Sequence, residues 1–168
     1  SKKGKKFAKR LGLKTVVIDK EKETHGESKP RYVLGADVKG KICVAVDDII
    51  DTGGTIINCG ETLLEMGARE VILCGTHGIF SPKLNDDGEV IFAEDIFKNS
   101  GLKFVTTDIV ARTEAYRREH SSWLTVLSCA PLIADLIYCN ETGTSHGAKL
   151  EEYIEEAVKG DKSFLVRV

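Results

Sequence analysis

The chain has 168 residues, with 24 basic and 26 acidic side chains, a net charge of −2, and 42% apolar residues. That length suits one globular domain with a sizeable core, and the apolar content excludes a disordered tail. No apolar run reaches the ~18 residues of a membrane span, and no signal-peptide pattern opens the chain.

The front of the chain is basic: residues 1–30 carry 10 basic and 4 acidic side chains, and the remainder 14 and 22. Such a segment suits a solvated face, a nucleic-acid arm or an anion-handling lobe. No aromatics are interleaved for base stacking, which disfavours nucleic acid. Residues 3–11 read as a basic helix, followed by a short apolar run at 15–18. Residues 20–31, KEKETHGESKPR, are almost wholly polar. Further β-branched runs occupy 42–46, 71–74, 103–106 and 124–127. Few charges interrupt them, the pattern of parallel strands covered on both faces.

Helical patterns lie between the runs. Residues 54–66 place Ile57, Leu63, Leu64 and Met66 near one face, and Gly67 stands at the expected stop. Residues 81–89 read as a turn-rich loop, Pro131 as the opening of a helix to about Tyr138, and 150–158 as an acidic helix. Alternating strands and helices predict an α/β class with a mainly parallel sheet of about five strands flanked by helices, in one domain over 1–168.

The five cysteines are odd in number and lack CxxC spacing, while Cys43 and Cys74 sit in apolar runs as small buried hydrophobes do. The pattern predicts a reduced, cytoplasmic protein without a disulfide framework or zinc site. The four histidines are too scattered for a local metal motif. His77 reads as closing a turn or contacting a nucleotide or phosphate, and Trp123 as a packing or subunit-contact residue.

The chemistry concentrates in residues 42–55, ICVAVDDIIDTGGT. An apolar strand runs into Asp47 and Asp48, and Asp51-Thr52-Gly53-Gly54-Thr55 then leads into a helix. Open α/β sheets bind ligands at the carboxyl ends of their strands. Two glycines allow a tight turn and close backbone approach. The N–H groups of the helix start, with the Thr52 and Thr55 hydroxyls, suit a phosphate. The acids suit sugar hydroxyls or Mg²⁺. A phosphorylated pentose satisfies both halves. Neither GxxxxGK[ST] nor GxGxxG occurs, which excludes the Walker loop and the dinucleotide fingerprint.

VAVDDIIDTGGT resembles the ribose-phosphate motif of type I phosphoribosyltransferases. Thr76-His77-Gly78-Ile79-Phe80-Ser81 resembles a segment of the ribose-phosphate pyrophosphokinase family. Val17-Ile18-Asp19-Lys20-Glu21-Lys22 is similar to the start of that family's flexible catalytic loop, and residues 160–166 to its C-terminus. The resemblance covers the second half of the family's usual length, so the chain looks like the C-terminal half of a two-domain enzyme.

The resemblance implies Mg-dependent transfer of pyrophosphate from ATP to C1 of ribose 5-phosphate, giving phosphoribosyl pyrophosphate and AMP. It places the 5-phosphate on Thr52, Gly53, Gly54 and Thr55, with Asp51 orienting the loop or meeting a phosphate-bound water. Asp47 and Asp48 would take the ribose hydroxyls and Mg²⁺, and Lys20 and Lys22 would act as catalytic lid residues. A polar lid over 22–31 implies weak order there without ligand. Ser163 and Phe164 fall where the family has an inhibitory ADP or phosphate site. The family also implies homo-oligomers, from dimer to hexamer, and small-molecule partners rather than nucleic acid or membrane.

Two departures stand out. Lys22 replaces a usual arginine and loses the bidentate fork. His25-Gly26 after Lys22 resembles the loop of orotate phosphoribosyltransferase, which leaves an orotate-type transferase as an alternative, beside a non-catalytic regulatory homologue.

Overall fold

The computed structural model describes residues 2–20, 30–159 and 165–167. Helix α1 (Lys2–Arg10) precedes strands β1 (Lys14–Lys20), β2 (Pro30–Gly35) and β3 (Ile42–Ile50), helix α2 (Gly54–Glu65) and strand β4 (Glu70–Gly78). A small hairpin, β5 (Lys83–Leu84) and β6 (Val90–Ile91), leads to α3 (Ala93–Asn99), β7 (Lys103–Thr107), α4 (Glu114–Glu119) and β8 (Leu124–Leu127). Helices α5 (Ala130–Thr142) and α6 (His146–Val158) and strand β9 (Leu165–Arg167) complete the described chain.

Seven of these strands form one sheet in the order β2-β1-β9-β3-β4-β7-β8. All neighbours run parallel except the β1–β2 pair. The five expected strands are all present, and the fold class is α/β as the alternation predicts. The sheet is larger than expected by β2 and β9. Strand β2 opens on a proline and pairs antiparallel at the edge, a place where a missing N–H is tolerated. Strand β9 is three residues long and is wedged between β1 and β3. Neither carries the long apolar run that marks a central strand.

The core lies on the sheet face that carries Cys43, Ala45, Val71, Leu73 and Phe104, packed against Ile57 and Leu63 of α2 and Phe97 of α3. An aromatic cluster anchors it: the rings of Phe97 and Phe104 stack at 4.5 Å, and Trp123 meets Phe104 edge-on at 5.5 Å. Trp123 is thus a packing residue. Two expectations need correction. Leu64 is 37% exposed rather than sharing the buried face, because Ile57, Gly60 and Leu63 form the inward row of α2. Cys74 is half-buried, since it points to the opposite side of β4 from Val71 and Leu73. All five cysteines are free thiols. Among the described residues, no helix is long and apolar enough to cross a membrane.

Candidate functional site

Strand β3 runs buried through Cys43 and Ala45, then turns polar: Asp47, Asp48 and Ile49 are exposed. The change falls at the carboxyl edge of the sheet, where side chains no longer meet a covering helix. Ile50 dives back into the core and ends the strand. The backbone N–H of Asp48 donates to Asp47 Oδ1 at 2.9 Å, which orients the first carboxylate.

The loop that follows is held by its glycines for different reasons. Gly53 caps α2 with φ 81° in the left-handed region. A Cβ there would sit 2.0 Å from Phe97 Cε1, so both torsion and packing demand glycine. Gly54 is the opposite case: an added Cβ would meet nothing within 4 Å. The fold does not need its bare backbone, whereas a ligand approaching closely would. Helix α2 has no side-chain cap at its start. The N–H groups of a helix's first turn have no partner within the helix and form an anion-binding end. Thr52 is half-buried and Thr55 exposed beside them.

The TH-G-I-F-S segment lies directly alongside. Strand β4 is registered so that Ile49 pairs with His77 and Ile50 with Gly78. His77 Nδ1 lies 3.0 Å from the Asp48 carbonyl oxygen. A carbonyl only accepts, so Nδ1 carries a proton in this contact. Asp51 Oδ1 accepts the backbone N–H of Ser81 at 3.2 Å, which ties the 51–55 loop to the turn after β4. The two segments are 29 to 30 residues apart in sequence and share one rim.

The stretch after β7, which has no motif of its own, supplies residues that the sequence did not single out. Thr107 Oγ1 donates to the Thr76 carbonyl at 2.7 Å, and Arg112 Nη2 to the carbonyls of Gly78 at 3.0 Å and Ile79 at 2.8 Å. The N–H of Cys129 and the hydroxyl of Ser128 hold the Asp108 carboxyl below the usual carboxylate range. A lone arginine in a turn is the only signal Arg112 offers.

Lys20 ends β1, which runs parallel to β3 through β9, so its backbone stands at the same edge as Asp47. Its side chain, Lys22, the lid loop, Ser163 and Phe164 lie outside the described residues. Among those described, no group of three or more His, Cys, Asp or Glu side chains is placed to hold a metal ion. Asp47 and Asp48 are exposed carboxylates, the donor type that magnesium takes in its other mode of binding. There one or two carboxylates hold the ion and substrate oxygens and waters complete its shell.

A family model of the phosphoribosyl transferase domain matches residues 4–121. The ribose-phosphate pyrophosphokinase of Clostridium acetobutylicum is 38% identical over 136 residues, which cover 81% of this chain and 39% of that protein. The chloroplastic ribose-phosphate pyrophosphokinase 2 of Spinacia oleracea is 39% identical over 134 residues, or 79% of this chain and 31% of its own. The crystal structure of phosphoribosylpyrophosphate synthetase from Mycobacterium smegmatis superposes with a TM-score of 0.51 at 37% identity, covering 68% of this chain and 35% of that one. The chain thus spans less than half the length of these relatives. With the two-acid strand end, the glycine turn and the matched span all in agreement, this chain belongs to the phosphoribosyl transferase domain family.

Proposed function

We propose that this chain is the ribose 5-phosphate-binding half of a ribose-phosphate pyrophosphokinase. The observation that carries the reading is the conjunction at one strand end of exposed Asp47 and Asp48 with an uncapped, glycine-opened helix start. A phosphate monoester and a sugar diol need opposite partners, N–H donors and carboxylate acceptors. The 47–55 segment offers both, with Thr52 four residues after Asp48. The names of the relatives support the reaction type.

In this reading the N–H groups and hydroxyls of Thr52, Gly53, Gly54 and Thr55 hold the 5-phosphate. Asp51, tied to Ser81, keeps that loop in place. Asp47 and Asp48 accept hydrogen bonds from the ribose hydroxyls and so fix C1 and its hydroxyl. That hydroxyl attacks the β-phosphorus of ATP; the bond to the α-phosphate bridging oxygen breaks, and AMP leaves. Phosphoryl chemistry of this kind depends on alignment and charge stabilisation rather than covalent intermediates. Lys20 and Lys22 close over the triphosphate and offset the developing negative charge. Asp47 and Asp48 would hold magnesium, which would supply positive charge to offset the charge that builds during transfer. The adenine pocket and remaining phosphate contacts belong to the other half of a two-domain chain, which assembles into dimers and hexamers.

Titration calorimetry with ribose 5-phosphate tests the site on this chain directly. Saturable binding is expected, weakened about tenfold or more by Asp47→Asn or by Asp48→Asn. Indifference of the wild-type chain to ribose 5-phosphate overturns the reading. In a full two-domain chain, release of AMP from ATP, Mg²⁺ and ribose 5-phosphate is expected. An orotate-type transferase would instead consume phosphoribosyl pyrophosphate and a base and leave ATP intact. A non-catalytic homologue would bind the sugar and release no AMP.

A further inference from the structure

We infer that Arg112 is a positioning residue for the phosphate loop, acting through the 78–81 turn without touching ligand. The inference rests on the anion-site reading of residues 51–55. Its basis is the way two peptide groups are gripped from both sides. The Gly78–Ile79 peptide presents its carbonyl to Arg112 Nη2 at 2.8–3.0 Å with its neighbour, the carbonyl of Ile79. The N–H groups of the same two peptides, Ile79 N and Phe80 N, both donate to the Ile50 carbonyl, at 2.9 and 3.3 Å. In a trans peptide the C=O and N–H point opposite ways. The guanidinium therefore holds the turn from one side, and the last residue of β3 meets it from the other. The next N–H, that of Ser81, reaches Asp51.

The turn needs such a clamp. Phe80 has φ 57°, the left-handed region that a bulky side chain avoids unless its surroundings impose it. Its ring is buried 5.1 Å from that of Phe97, the residue that blocks any side chain at Gly53. The Arg112 guanidinium lies 5.4 Å from the Phe80 ring centroid and 5.0 Å from that of Tyr116, whose hydroxyl donates to Glu94 at 2.8 Å. One planar cation thus fixes both the backbone of the turn and the ring at its tip. From there two routes reach the phosphate loop, Ser81 to Asp51 and Phe80 through Phe97 to Gly53. A lysine keeps the charge and loses the stacking plane. The Arg112 Nε is buried without a hydrogen-bond partner, a penalty that the clamp offsets.

The test compares wild type with Arg112→Lys, Arg112→Met and, as an exposed control on α4, Arg118→Ala. Amide hydrogen exchange and ribose 5-phosphate titration are both read on the 168-residue chain. Arg112→Met is expected to speed exchange at Ile79, Phe80 and Ser81 and to weaken binding about tenfold, with Arg112→Lys in between and Arg118→Ala unchanged. Folded Arg112 variants with wild-type exchange at these three amides and wild-type affinity overturn the inference. So does a uniform rise in exchange across the sheet with affinity unchanged, which marks a purely structural residue. If Arg112→Met fails to fold, Arg112→Lys decides by the same two readouts. If the wild-type chain ignores ribose 5-phosphate, the anion-site reading falls, and the loop-positioning role falls with it. The exchange data then show separately whether Arg112 holds the turn.

Discussion

The ground beneath the 51–55 loop and the α5–α6 hairpin are made from the same kinds of residue and end in opposite environments. Beneath the loop, Phe80, Phe97, Phe104 and Trp123 pack ring against ring and are nearly inaccessible. In α5, Leu132, Ile133, Leu136, Ile137 and Tyr138 are all exposed, Tyr138 by 64%, and only Cys139 is buried. The Tyr153 hydroxyl of α6 donates to Asp135 of α5, while the Lys149–Glu152 pair, at 2.9 Å, lies within α6 alone. Apolar composition sets what can be buried, and neighbours from distant segments set what is. The site floor draws those neighbours from the turn after β4, from α3 and β7, and from the residue before β8, whereas α5 packs chiefly on α6.

Substitutions can break or sharpen this contrast. The largest effect is expected from Phe97→Ala, which opens a cavity under the loop and should lower stability by about 3–5 kcal/mol in urea unfolding. Gly53→Ala comes next, because it combines a left-handed torsion with a clash against the same ring. It should destabilise by about 1–3 kcal/mol and abolish ribose 5-phosphate binding in calorimetry. Asp51→Ala leaves the Ser81 N–H without its acceptor on an exposed rim and should cost about 1 kcal/mol, with a larger share of its effect in ligand affinity.

The floor also carries a pH signature. Burial, and then the neighbouring Cys59, pushes the Cys43 thiol up to about 11 from an ordinary 9.0. Burial and the hydrogen bond to Glu94 raise Tyr116 as well. Both groups keep their protons in the folded chain at pH values where the unfolded chain has lost them. Their stabilisation is therefore complete below the unfolded pKa and fades as pH climbs, for Cys43 between 9.0 and about 11. Thermal midpoints should fall across that window, less steeply in Cys43→Ala. The smallest effect belongs to the hairpin: Ile137→Ala, at a side chain 59% exposed, should change stability by no more than about 0.5 kcal/mol. A loss above 2 kcal/mol there would mean that the hairpin is covered in solution.

Much of the fold was legible because its signals are local. The five expected strands are short apolar runs rich in β-branched residues, and Gly67, at φ 89°, ends α2 where the glycine stands in the sequence. The motif 47–55 was legible for the same reason: acids, glycines and threonines all fall within nine consecutive residues. Strands β2 and β9 were hidden because edge position and short length leave no periodicity to read. Helices α3 and α4, of seven and six residues, carry fewer than two turns of pattern each.

Residue order alone determined the α/β class and the rim on which Asp47, Asp48 and the 51–55 loop stand, since strand ends and glycine turns are properties of consecutive residues. Only the tertiary structure decided that the Ser81 N–H reaches Asp51, that His77 meets the Asp48 carbonyl, and that Arg112 grips the turn between them. It also separated Gly53, fixed by Phe97, from Gly54, which faces open space. Those contacts join residues about 30 or more apart, and no periodicity in a one-dimensional chain encodes which distant side chain will arrive beside a given backbone group.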